Sequence, residues 1–119
     1  VADDKNAVLT ASSDMQSLVA DGKSTAKLEV TLMSANNPVG GNIWVDIQTP
    51  EGVTEKDYQF LPSKNDHFAS GKITRTFSTN KPGTYTFTFN SLTYGGYEMK
   101  PVTVTINAVP ADTEGAEEK

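Results

Sequence analysis

The stretch TAKLEVTLM, residues 25–33, decides the fold. Ala26, Leu28, Val30 and Leu32 take every second position, and Thr25, Lys27, Glu29 and Thr31 fill the places between them. A period of two puts the first set on one side of a strand and the second on the other, so the segment has one dry and one wet face. A sheet with a dry face needs a second layer to cover it.

The alternation returns along the chain. NIWVDIQT (42–49) sets Ile43, Val45 and Ile47 against Trp44, Asp46 and Gln48. TYTFTFNSL (84–92) sets Tyr85, Phe87 and Phe89 against Thr84, Thr86 and Thr88. PVTVTINA (101–108) turns Val102, Val104 and Ile106 inward and begins on Pro101, where a missing N–H is tolerated. AVLTAS (7–12) and YQFL (58–61) read as shorter strands, the second with Tyr58 and Phe60 on one side. DMQSLVADGKS (14–24) carries Met15, Leu18 and Val19 and ends in a turn at Asp21-Gly22. PSKNDHFASG (62–71) reads as a loop anchored by Phe68, and TYGGYEMK (93–100) as a loop or hairpin end. KITRTFS (72–78) is an imperfect strand, because Arg75 stands between Ile73 and Phe77. Either its head reaches solvent past the sheet edge, or a bulge shifts the register.

Composition agrees. Thr is abundant and lies mostly inside these alternating runs, where a β-branched side chain suits a half-buried pleated surface. There is no Cys, hence no disulfide and no thiolate chemistry, and stability must come from packing. The formal charge of −5 and the scatter of Lys and Arg disfavour a phosphate-backbone partner. No apolar run approaches the ~20 residues of a membrane span. The start, VADDKNAV, lacks the basic and apolar regions of a signal peptide, so either the protein is not exported or the signal has been removed, and a fragment cut from a larger chain would look the same.

These runs predict an all-β, immunoglobulin-like β-sandwich of two antiparallel sheets with about seven to eight strands. Its expected extent is residues 7–108, between a flexible start (1–6) and an acidic linker or disordered tail (109–119). NNPVGG (36–41) reads as scaffold: Asn36, Asn37, Gly40 and Gly41 supply turn geometry, Pro38 presets φ, and Val39 plugs the end of the core.

Four segments, in order, carry a family resemblance: LVADGKSTAKLEVTL (18–32), NNPVGGNIWVDI (36–47), SGKITRTFST (70–79) and KPGTYTFTFN (81–90). Across residues 15–108 the chain resembles the group 1 bacterial immunoglobulin-like domains, found in tandem in intimin- and invasin-like surface proteins. Its approach to the SGKIT strand, NDHFASGK, and its middle segment, EKDYQFLPSKNDHFA, depart from that pattern. The resemblance implies a non-catalytic spacer module of a larger bacterial surface or secreted protein, located extracellularly or at the cell surface and contacting neighbouring domains of the same polypeptide. It offers no catalytic residues.

The residues themselves point the same way on catalysis. The one His, His67, sits in the loop segment KNDHF, and no G-x-S-x-G elbow is present. The carboxylates Asp46, Glu51, Glu55, Asp57, Asp66 and Glu98 show no spacing that singles out a pair. Asp21-Gly22 is a turn and no calcium-loop motif occurs, so neither metal nor cofactor is expected. Aromatics give the alternative function. Trp44, with Tyr58, Tyr94 and Tyr97, would bind polysaccharide or a surface protein if the rings lie exposed beside polar groups. Trp44 faces out if Ile43, Val45 and Ile47 face in; the opposite assignment makes it a core residue. Lys27, Lys72, Arg75 and Pro101 would guard the sheet edges, which predicts a monomer.

Overall fold

The computed structural model describes residues 4–68 and 70–111. A 3-10 turn at Asp4–Asn6 leads into ten strands: β1 (Val8–Ser13), β2 (Ser17–Ala20), β3 (Ala26–Ser34), β4 (Asn37–Pro38), β5 (Gly41–Gln48), β6 (Tyr58–Leu61), β7 (Asn65–Phe68), β8 (Lys72–Thr79), β9 (Gly83–Thr93) and β10 (Val102–Pro110). One sheet has the order β1–β3–β8–β6, with the two-residue β4 added to β3. The other has the order β2–β10–β9–β5–β7. The fold is an all-β sandwich, as the alternation predicts, with more strands than expected. Of the expected flexible start and acidic tail, residues 1–3 and 112–119 lie outside the described residues, and β10 runs on to Pro110.

β3 sits between β1 and β8, and its four alternating apolar residues are fully buried. Phe87 of β9 meets them from the opposite sheet. Its ring packs edge-on to Phe77 of β8 at 4.9 Å and stacks on Phe60 of β6 at 5.5 Å. Tyr85 is buried beside Phe77, and its hydroxyl donates to the Lys81 carbonyl (2.7 Å) and shares a hydrogen bond with Thr79 Oγ1 (2.7 Å). The polar tip of a core aromatic thereby closes the β8–β9 turn.

Four expectations need correction. The sheets are not wholly antiparallel: β2 runs parallel to β10. The chain crosses between sheets at Asp14–Gln16, tied to β3 by Asp14 N–H to the Lys27 carbonyl and to β10 by Asn107 N–H to the Gln16 carbonyl, and continues in the direction of β1. The segment 62–71 is more than a loop, because Asn65–Phe68 forms the edge strand β7 against β5, with Phe68 buried as its anchor. Arg75 neither snorkels nor marks a bulge. The β3–β8 register runs unbroken from Ala26↔Phe77 to Thr31↔Lys72, and Arg75 is only 4% exposed. In NNPVGG the tight turn lies one residue earlier. Ala35 and Asn36 take φ of 50° and 71°, as a two-residue hairpin of the primed type requires, and Pro38 belongs to β4. Val39 is the buried plug expected of it.

Candidate functional site

The second sheet presents a wet face, and the strand registers place its residues in rows. One row runs Asn65 (β7), Trp44 (β5), Asn90 (β9). The row above it is His67, Asn42, Leu92 and Glu98, and the row below is Asp46, Thr88 and Thr103. Ile43 and Val45 are buried, so Trp44 faces out, 36% exposed, with an amide on each side. Asn90 Nδ2 donates to Asp46 Oδ2 at 3.2 Å, which orients that amide next to the indole. Leu92 stands diagonally across from Trp44, at about 7–8 Å for such a pair, and is 37% exposed.

Tyr94 extends this patch toward the end of the sheet. It is 62% exposed, and its amide donates to the Gly40 carbonyl at 3.1 Å. Its ring reaches over Gly40, where a Cβ would meet Tyr94 Cδ2 at 2.9 Å. The two glycines that the sequence offers as turn formers are therefore close-approach residues. Gly41 likewise sits where a Cβ would meet the Leu92 carbonyl at 2.7 Å.

The other two aromatics do not join them. Tyr97 is exposed, but it stands across the hairpin from Thr93, whose side chain is buried on the core side of β9. Tyr58 points between the sheets, packed on Phe77 and Tyr85 at 6.1 and 6.2 Å. Tyr85 and Tyr94 lie at opposite ends of β9 and its turn, roughly 30 Å apart at the rise of a strand. The structure thus puts Trp44, Leu92 and Tyr94 on one face, with Tyr94 opposite Gly40 and so roughly 13 Å along the strand direction from Trp44, and it separates Tyr58 and Tyr97. A signal for Leu92 was present in the sequence, since it shares parity with Thr84, Thr86, Thr88 and Asn90 and is the one apolar residue in that set.

One carboxylate of this sheet, Asp66, is held by an arginine of the other sheet. Arg75, buried between the sheets, donates from Nε to the Ser63 carbonyl (2.7 Å), from Nη1 to the Thr74 carbonyl (2.7 Å) and from Nη2 to Asp66 Oδ2. The guanidinium, helped by the His67 amide, holds the Asp66 carboxyl below the usual carboxylate range. His67 itself is exposed, with Nδ1 3.5 Å from Asp66 Oδ1. Asp66 is thus committed to a clamp between β7 and β8. Among the described residues no group of three His, Asp or Glu is placed to hold a metal ion. Among them, too, no helix is long and apolar enough to cross a membrane, which says nothing of β-barrels.

A family model described as "Invasin, domain 3" matches residues 5–114. The chain belongs to the invasin domain 3 family. The resemblance carried by the four ordered segments therefore holds at the level of invasin- and intimin-like bacterial surface domains. Among solved structures it is similar to the D00–D0 domain of intimin (18% identity over 89% of this chain and 48% of that one, TM-score 0.66). It is also similar to the D0–D1 domain of intimin (15%, 89% and 51%, TM-score 0.58). A glycosyl hydrolase family 2 member from Bacteroides cellulosilyticus shares the fold as well (12%, 86% and 14%, TM-score 0.62). At these identities the likeness shows the fold alone. The chain spans about half the length of the two intimin structures it matches. No curated protein is similar enough to match.

Proposed function

We propose that this invasin-type domain is a binding module of a bacterial surface protein, exposed outside the cell, and that its contact face is the Trp44–Leu92–Tyr94 patch. The supporting observation is the row Asn65–Trp44–Asn90, an exposed indole flanked by amides on the wet face of a sheet. An aromatic plate offers apolar area to the face of a sugar ring, and flanking amides and carboxylates fix the hydroxyls. Polysaccharide is accordingly the ligand class we favour. Trp44 is the single Trp, so its fluorescence reports the site directly. Titration with a panel of bacterial and host polysaccharides should shift that emission. Tyr94→Ala, which leaves the reporter in place, should weaken the response about tenfold or more, as stacking contacts are worth roughly 1–3 kcal/mol in comparable platforms. No response to any polysaccharide, or a response that Tyr94→Ala leaves unchanged, refutes the reading.

One observation favours a spacer role alongside binding. β1 starts beside the Tyr94 end of the sandwich, and β10 finishes at the Gly83 end. A module entered at one end and left at the other sets its neighbours in line, in the immunoglobulin-like manner the sequence suggests. Pull-through measurements on a tandem chain carrying this module would show its length added end to end.

A further inference from the structure

The edges of the sandwich are guarded only in part as the sequence suggests. Lys27 is on β3, covered by β1 and β8, and guards no edge. Lys72 and Arg75 lie on the half of β8 that pairs with β3 alone, because β6 covers only Thr76–Thr79, and Pro101 precedes the half of β10 that pairs with β9 alone, because β2 covers only Asn107–Pro110. The outer strands are β1 and β6 in one sheet and β2 and β7 in the other. β2, β6 and β7 are four residues each; β6 runs into Pro62, and β7 carries Asp66 and His67. Short length, proline and charge are the ordinary protections of an edge. β1 has none of them. It is six residues long, VLTASS, without charge or proline. Among the described residues it pairs with β3 alone, which leaves its other backbone edge open. Val8 is 59% exposed, and Thr10 and Ser12 are also exposed.

We propose that two copies of this chain pair through β1, antiparallel, about a two-fold axis at Thr10, in place of the monomer expected from the sequence. An open backbone edge selects another strand, because main-chain hydrogen bonds are what it lacks. The occupant must also suit the side chains, and a second β1 does. A two-fold pairing is self-complementary, and directly opposed residues share a face only when they have the same parity. Centring on Thr10 opposes Leu9 to Ala11 of the second copy, both core-facing, and Val8 to Ser12, both on the wet face. It opposes Thr10 to itself. Thr10 Oγ1 is already hydrogen-bonded to Thr31 Oγ1, so the hydroxyl row continues from one copy into the next. Neither β1 brings a charge to the junction, and the result is one continuous sheet across two sandwiches.

Light scattering and sedimentation over a micromolar-to-millimolar concentration series test this on the full chain. The native protein should pass from monomer to dimer, and amide hydrogen exchange in β1 should slow as it does so. Thr10→Lys sets two like charges opposite one another and should weaken the dimer about fivefold or more, while Thr10→Val should retain it. Circular dichroism checks that Thr10→Lys is folded; if it is not, Ser12→Lys, also exposed, supplies the same charge against Val8. A monomer at every concentration, a dimer indifferent to both lysine variants, or protection that appears on another edge strand overturns the proposal.

Discussion

Removing the charge of Asp66 should destabilise the domain more than removing Arg75, although the two form one ion pair. Arg75 is 4% exposed at its side chain and Asp66 31%. Asp66→Asn removes the countercharge and leaves a guanidinium between the sheets with neutral acceptors alone, the Ser63 and Thr74 carbonyls and at best the new amide oxygen. Breaking a buried pair costs about 3–5 kcal/mol, and the partial exposure of Asp66 lets water return, so about 2–3 kcal/mol is expected here. Arg75→Met leaves instead a carboxylate that water reaches, and fills the space beside Ile73 and Phe77 with an apolar chain. Its cost should stay below about 1.5 kcal/mol, and the double variant should resemble Arg75→Met. Urea unfolding at neutral pH measures all three. The pH dependence carries the sign. Arg75 holds the folded-state pKa of Asp66 below its unfolded value, so this increment is present above the unfolded carboxylate pKa, near 3.8. It is lost as the pH falls from there through the depressed folded value. The gap between the native protein and Asp66→Asn should thus be constant from neutral pH down to about pH 4 and shrink below it. If Asp66→Asn lies within about 0.5 kcal/mol of the native protein, or Arg75→Met proves the worse of the two, the clamp has been misread.

Three further outcomes follow from particular contacts. Tyr85→Phe removes the hydroxyl shared by Thr79 and Lys81 and should cost about 1–2 kcal/mol in urea unfolding; because burial raises the Tyr85 pKa, the native protein's absorbance titration should show one Tyr ionising later than the rest. Gly41→Ala drives a Cβ against the Leu92 carbonyl and Thr93 Cα, backbone that cannot step aside, for about 1–3 kcal/mol by thermal or urea unfolding. Ala35→Gly should stabilise the domain by about 0.5–1 kcal/mol, since Ala35 holds a left-handed φ that suits Gly better; a loss on unfolding would place the strain elsewhere.

Much of the domain was legible without coordinates. The inward sets at 26–32, 43–47 and 85–89 follow from alternation alone, because a strand has only two faces and one must be dry. The plug at Val39 was readable from its place in the NNPVGG turn, and parity left Trp44 two faces, between which the burial of Ile43 and Val45 chose the outer. What stayed hidden depends on who is whose neighbour. Arg75 looked misplaced because two of its satisfying groups come from elsewhere in the fold, Ser63 from the β6–β7 link and Asp66 from the other sheet. The strand at Asn65–Phe68 is polar and short, and it is a strand only because β5 offers an edge to pair with. Gly40 looked like a turn residue, whereas its bare Cα makes room for the ring of Tyr94.

The sequence by itself determined the period of its strands and therefore the all-β class and most of the core, and it narrowed Trp44 to one of two faces. Tertiary structure decided which strands lie at the edges, and with that whether a Lys guards anything. It also decided which aromatics share a face: Tyr94 joins Trp44, while Tyr58 turns inward onto Tyr85. Periodicity is a local property of the backbone, fixed by sterics within a few residues. Edge position and patch membership are properties of the strand order, set by contacts between segments far apart in the chain.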